Sequence, residues 1–211
     1  MIKTWTILMS IMIFVAVGAQ AQLGIRAGVN MANEIKSFTQ GSISEAFSSE
    51  NLTGYHIGIM HQSVPEKSGF GGDIAMLFSQ KGSSYTDATD ANNPILGYRE
   101  LNYFEMPFNV RYQLRLGFAT LYASSGLYAA YFLSGKDVAQ NAAQSLLIDA
   151  FVDRLDFGYS FGGGVELFRK IQLGASWSRG LRSNNAAYTS TSSGIATSQN
   201  NVFSINLGYL F

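Results

Sequence analysis

The sequence predicts an all-β protein, an eight-stranded closed antiparallel barrel that crosses a membrane, and three observations carry that expectation. Apolar residues recur at every second position in eight separate runs. The connections between the runs are alternately long and short. The chain ends at Phe211 inside such a run, with no polar tail.

Period two means strand, because successive side chains of a pleated chain point to opposite faces. The eight runs are 23–30, 55–62, 70–79, 103–115, 120–134, 157–168, 171–178 and 202–211. In the fourth, Phe104, Met106, Phe108, Val110, Tyr112 and Leu114 stand against Tyr103, Glu105, Pro107, Asn109, Arg111 and Gln113. The same parity sets Leu23 and Ile25 opposite Arg26 in the first run, Met76 and Phe78 opposite Asp73 in the third, and Phe161 and Val165 opposite Glu166 in the sixth. Across all eight the oily face is interrupted at Gly72, Ser125 and Gly163, and it carries no Asp, Glu, Lys or Arg.

Composition decides which face points outward. Only 13% of the 211 residues are charged, about half the ~25% of soluble domains. A water-facing exterior wants roughly 25–35% charge, whereas the mixed face has only a few charges and is rich in Gly and Ser, including Gly24, Gly28, Gly58, Gly162, Gly164 and Ser176. Such a face suits a cramped interior. The bulky face suits lipid, where unpaired backbone is forbidden and only helices or closed barrels can span. Runs of this length also match the ~9–11 residues of a tilted transmembrane strand.

The connections add an independent argument. Segments 31–54, 80–102, 135–156 and 179–201 are long, whereas 63–69, 116–119 and 169–170 are short. Short periplasmic turns and long extracellular loops are the layout of an outer-membrane barrel, and an even strand number leaves both termini in the periplasm. The last run then has to pair with the first, and Tyr209 and Phe211 read as the C-terminal signal offered to the barrel assembly machinery. Tyr209 is also placed at one aromatic girdle, with Trp177 and Tyr131 at the other.

Residues 1–21 read as a cleaved signal peptide: Lys3 supplies a positive start, 7–17 an apolar core broken only by Ser10, and Ala19-Gln20-Ala21 the cleavage site. The core of about 11 residues falls short of the ~20 of a helical span. Residues 22–211 are left as a single barrel domain. The absence of Cys excludes a disulfide framework and a lipid-modified N-terminal cysteine. With 14 basic and 14 acidic residues and no basic cluster, nucleic acid is not an expected partner.

Several phrases carry a resemblance: LGIRAGVN (23–30), MLFSQKG (76–82), LNYFEMPFNVRYQL (101–114), DFGYSFGGGVEL (156–167), SWSRGL (176–181) and NLGYLF (206–211). Together, in this order, they resemble the PorT-like outer-membrane β-barrel family of Bacteroidetes. The resemblance implies a small Gram-negative outer-membrane barrel, usually without an assigned activity, whose name-giving member is linked to a system that exports proteins to the cell surface. It transfers a fold and not a role, because function lives in sites.

Arg26, Asp73, Glu105, Arg111 and Glu166 point inward in this register, into a lumen that eight strands make just wide enough for side chains to fill. Unpaired charges there would be costly, so an internal ion-pair and hydrogen-bond network is expected, a plug rather than a pore. Pro107 lacks a donor in a sheet with no free edge, which calls for a bulge or strand end near it. His56 and His61 fall on opposite faces and do not form a metal pair. His61, Ser63 and Glu66 are the nearest grouping to a hydrolase or acyltransferase set, and ordinary turn residues account for them. Asp156-Phe157-Gly158 lacks the companions of the kinase metal motif, and Gly162-Gly163-Gly164 lacks the helix of a phosphate cradle.

The loops 33–51 and 184–201 are rich in Ser, Thr, Asn and Gly, which makes them hydrophilic and suited to binding. Ala143, Leu146, Leu147, Ala150 and Phe151 fall at helical spacing between Asp137 and Asp153, which predicts a short helix lidding the barrel mouth. The functional expectation is a non-enzymatic barrel without catalytic residues, metal or cofactor. It would hold to outer-membrane lipid and act through structure or loop contacts with an envelope or secretion protein. A narrow passive channel is the second expectation and a lipid-modifying enzyme the third.

Overall fold

The computed structural model describes residues 20–40, 43–48, 50–87, 95–139, 146–147, 154–181 and 195–211. Its strands, in chain order, are β1 (Gln20–Gln40), β2 (Ile43–Ser48), β3 (Glu50–Val64), β4 (Gly69–Asp87), β5 (Ile95–Leu116), β6 (Ala119–Ala139), β7 (Leu146–Leu147), β8 (Leu155–Leu167), β9 (Ile171–Gly180) and β10 (Ile195–Leu210). Eight are long and form an antiparallel barrel in which each pairs with its neighbour in sequence; β2 and β7 are short additions to β1 and β6.

Closure comes from β10 pairing with β1, from Gly24↔Leu210 to Thr39↔Ile195. No barrel edge is left, which is what a sheet surrounded by lipid requires. The terminal residues tighten the seam: the Phe211 N–H donates to the Leu23 carbonyl at 2.8 Å and the Leu210 N–H to that of Lys170 at 2.7 Å. Followed through its paired residues, the sheet is staggered. Gln22 leads to Gln62, Asp73, Asn109, Gly126, Ser160, Ser178 and Val202, and the circuit returns to β1 at Ala32, ten residues further on. A shear of this kind tilts the strands and brings residues from distant parts of the sequence to one height in the lumen.

The alternation read from the sequence is the in–out alternation of the barrel. Leu23, Ile25, Ile57, Ile59, Phe108, Val110, Leu127, Phe161, Leu173, Ile205 and Leu207 are all exposed on the outer face, while Arg111, Gln62, Gln113 and Glu166 are buried inside. His61 also lies outward by strand parity, a polar residue on the oily face, whereas His56 is buried inside. Pro107 sits within β5, paired with Tyr128, and no bulge forms there. The β4–β5 ladder simply has no pairs between Ile74↔Phe108 and Leu77↔Glu105, so the missing donor is absorbed as a local gap.

The strands outrun the sequence runs. Parts of the segments read as long loops, including 31–40, 80–87, 95–102 and 135–139, continue the ladder. β5 alone has 22 residues, about twice the ~9–11 of a tilted crossing. The excess forms a crown at the long-loop end, where the chemistry of the wall reverses. Gln80, Glu100, Asn102, Ser134 and Lys136 face outward and interact: Gln80 Nε2 donates to Glu100 Oε2 at 3.4 Å, Asn102 Nδ2 to Ser134 Oγ at 3.1 Å, and Lys136 pairs with Glu100 at 2.9 Å. Inside, Leu101, Tyr103, Tyr128, Ala130 and Phe132 make a buried apolar cluster. The β5–β6 register shifts between Asn102 and Tyr103, so a bulge stands where the wall leaves the apolar belt.

The helix expected in the third long connection is not formed at its centre. Leu146 and Leu147 pair antiparallel with Asp137 and Lys136, because the backbone of β6 offers them ladder hydrogen bonds there. Ala143, Ala150 and Phe151 lie outside the described residues, as do 184–194 and the signal segment up to residue 19. Gln20 and Ala21 are paired with Val64 and Ser63, so cleavage after Ala21 would shorten β1 by those two positions.

Candidate functional site: the barrel lumen

The stagger converts inward parity into layers of polar side chains. Nearest the short turns, the Arg111 guanidinium is wholly buried and donates to Gln62 Oε1 at 2.8 Å and Glu166 Oε2 at 3.2 Å. Gln172 Nε2 donates to the same two acceptors, at 2.7 and 2.9 Å, and Gln62 Nε2 donates to Glu166 at 3.2 Å and Gln22 at 3.0 Å. The guanidinium also lies over the Tyr122 ring, 3.7 Å from its centroid. Charge, both terminal nitrogens and the stacking surface are therefore used, which helps to make a buried Arg tolerable.

The next layer joins Arg26 to Asp73 at 3.3 Å, with Asn109 Nδ2 donating to Asp73 at 3.0 Å and Ser160 Oγ to Asn109 Oδ1 at 3.0 Å. Above it Asn30 is the hub: its Oδ1 lies 2.9 Å from His56 Nδ1 and accepts from Ser204 Oγ at 2.8 Å, and its Nδ2 donates to Ser79 at 3.2 Å. Beneath the crown, Lys81 pairs with Glu105, and its ammonium lies over the Tyr128 ring at 4.6 Å and near Tyr103 at 5.5 Å. Tyr128 donates to Asp156 at 3.2 Å, and Asn200 Nδ2 donates to the same carboxylate at 2.9 Å.

A cavity of about 80 Å³ remains among these layers, bordered by Arg26, His56, Asp73, Lys81, Glu105 and Tyr128. It is polar and large enough for several waters, since one needs roughly 10–15 Å³. At the short-turn side the Arg111 cluster, with no exposed surface on Arg111 or Gln62, separates it from solvent. Outside the membrane-spanning part, the Lys136 ammonium is held above the ordinary lysine range by its hydrogen bond to Glu100.

Of the residues the sequence pointed to, Arg26, Asp73, Glu105, Arg111 and Glu166 all face the lumen, in three ion pairs rather than one continuous web. Lys81, the partner of Glu105, falls in a segment that reads as a loop from sequence, and Asp156 at the end of another. Both continue the inward parity of runs already recognised: Lys81 follows Asp73, Leu77 and Ser79, and Asp156 precedes Gly158 and Glu166. Gln62, Gln172 and Asn30 were readable only as generic inward polar residues. Tyr209 and Phe211 lie outward at the seam, in edge contact with centroids 5.8 Å apart. Trp177 packs against Tyr159 and Phe161 and donates to Asn201 Oδ1 at 2.7 Å, and the Tyr131 hydroxyl accepts from Arg154 at 3.1 Å. His61, Ser63 and Glu66 do not share an environment: Ser63 is buried and Glu66 is exposed in the turn. Among the described residues no group of three or more His, Asp or Glu could hold a metal ion.

Residues 18–185 match the family described as outer membrane protein beta-barrel domain. No curated protein matches the sequence significantly. Solved structures of similar shape include Neisserial surface protein A, with 9% identity over 90% of this chain and 99% of that one and a TM-score of 0.47. OprG from Pseudomonas aeruginosa gives 11% identity, coverage of 92% and 97%, and a TM-score of 0.45. Ail of Yersinia pestis gives 12% identity, coverage of 92% and 100%, and a TM-score of 0.43.

Proposed function

Because the chain belongs to the family of outer membrane protein beta-barrel domains, we propose that it is a non-enzymatic, non-conducting outer-membrane barrel that carries a long-stranded crown toward a partner. The observation that supports this most is the Gln62–Arg111–Glu166–Gln172 cluster, which occupies the lumen with buried, mutually hydrogen-bonded polar groups. A conducting path would have to break these contacts and leave a buried charge without its partner. In this reading the short turns and both termini are periplasmic, the crown is extracellular, and Tyr209 and Phe211 are read by the barrel assembly machinery. The resemblance to PorT-like barrels in LNYFEMPFNVRYQL and SQKG favours an envelope or secretion protein as the partner.

Planar-bilayer recording of the refolded chain tests the plug: a flat baseline is expected, and steady single-channel steps would instead support a narrow passive channel, the reading that the polar cavity favours. Protease treatment of intact cells should cut the long connections alone. Affinity purification from cross-linked cells should recover envelope or secretion components. Unchanged lipid A and phospholipid profiles in a deletion strain are the expectation for a barrel without lipid-modifying activity.

A further inference from the structure

The two tightest connections stand side by side at the short-turn end. Gly117-Phe118 joins β5 to β6 and Phe168-Arg169-Lys170 joins β8 to β9; the Ala119↔Leu167 pair, extended by a Phe168 N–H donated to the Phe118 carbonyl at 2.7 Å, ties them together. Phe118 and Phe168 are each 67% exposed, and their rings stack with centroids 5.7 Å apart. Leu116, also exposed, continues the lipid-facing file of β5 through Tyr112 and Leu114, and Ile171 and Leu173 do the same on β9.

Cations interleave with these apolar groups. Arg169 and Lys170 come from the second of these turns, neither turn holds an acidic residue, and Lys67 comes from the third short turn beside Glu66; Arg115, near the end of β5, faces inward and donates to the Pro65 carbonyl at 3.0 Å. Glu66 is the acidic residue of the three short turns. The four long connections, by contrast, carry more acidic than basic residues.

The backbone supplies a separate clue. Phe168 and Arg169 both have positive φ, 55° and 58°, and the Lys170 N–H closes the turn on the Leu167 carbonyl at 3.0 Å. A turn with two successive left-handed central residues favours Asn-Gly, which adopts that region readily, whereas bulky side chains do so under strain. Strain kept at a surface turn points to something the side chains supply.

We propose that this patch binds the headgroups of anionic glycerophospholipids in the leaflet at the short-turn end. Leu116, Phe118 and Phe168 enter the acyl boundary, as interfacial aromatics do, and Arg169 and Lys170 meet the phosphates. Lipid is the occupant because the apolar part of the patch is continuous with the lipid-facing wall and the cations lie one or two residues beyond it, at headgroup depth. The inference rests on membrane insertion and is independent of the plug and of any loop partner.

The test is the relative association of spin-labelled phosphatidylglycerol and phosphatidylcholine with the chain refolded in mixed bilayers. Cations near an anionic surface contribute about fivefold each, so phosphatidylglycerol is expected to be preferred by at least about fivefold. That preference should fall to within about twofold in R169Q/K170Q and weaken with salt. F168N/R169G relieves the turn and should raise the unfolding midpoint in neutral detergent while lowering the lipid preference. An unchanged preference in both variants would overturn the proposal, and so would an equal loss in K136Q at the crown, which would make the preference a matter of overall charge.

Discussion

Between Phe104 and Leu116, β5 turns apolar side chains outward and mostly polar ones inward; between Glu100 and Tyr103 it does the reverse. Its parity does not change, since odd-numbered side chains face the lumen throughout. What changes is the surrounding medium. In the belt the outer face meets acyl chains, so Phe108 and Val110 are exposed while Arg111 has no accessible surface. In the crown the outer face carries Glu100 and Asn102, and Leu101 and Tyr103 are buried within. One wall thus holds two kinds of core. The belt core is polar and gains from ion pairs and hydrogen bonds; the crown core is apolar and gains from area removed from water.

The interior residues should separate the two cores most sharply. R111M leaves Glu166 buried without its charge partner, and breaking such a pair costs about 3–5 kcal/mol. Adding E166L should recover much of that loss, because a buried pair replaced by apolar groups is often close to neutral. In the crown, F132A is expected to cost about 3–5 kcal/mol through cavity formation, and no change at a polar partner should restore it. Urea titrations of the chain folded in vesicles measure all three. If E166L deepened the R111M defect, the belt core would not be a set of mutually compensating charges.

On the outer wall the expected effects are smaller and opposed in position. I205R places a cation on the lipid face, at a cost of about 2–4 kcal/mol if near the midplane. N102K puts the same charge sign on the crown exterior, where surface substitutions usually stay within about 0.5 kcal/mol. A comparable loss at both sites would mean that Asn102 also faces lipid and that the belt extends past the bulge.

This reversal also explains what could be read from the sequence and what could not. Alternation is visible where one face meets lipid and the other a polar lumen, as from Phe104 to Leu114, and there the strand, its parity and the inward charges were all legible. It fades at Leu101-Asn102-Tyr103-Phe104, where apolar residues appear on both faces within four positions. It is absent from Ser83 and Ser84, which are polar on either side. The ladder continues through these places because backbone pairing is indifferent to side-chain polarity, and so Lys81 reads as a loop residue while its partner Glu105 reads as a strand residue. The bulge at Asn102/Tyr103 left no mark of composition. Pairings that depend on shear, such as Gln62 of β3 with Gln172 of β9, require a register that no single strand contains.

The smallest expected effect lies at the crown's rim, where Lys136 pairs with Glu100 at 2.9 Å and lies 5.8 Å from the Tyr98 ring centroid. Glu100 raises the Lys136 pKa above the ordinary lysine value, so folding favours the charged ammonium. The sign follows from linkage: the stabilisation is complete below the unfolded-state lysine pKa of about 10.4 and disappears as pH rises through the higher folded value. Wild type and K136Q should therefore differ by a constant small amount at neutral and mildly alkaline pH, and converge well above the lysine range. Because the site is open to solvent, the neutral-pH difference should also shrink with added salt. Under the same conditions the R111M defect should hardly respond to salt, since buried pairs are screened far less. A difference at Lys136 that survived both strong alkali and high salt would mean that the rim is held by packing, and the contrast between a charged exterior and an apolar interior in the crown would lose its electrostatic half.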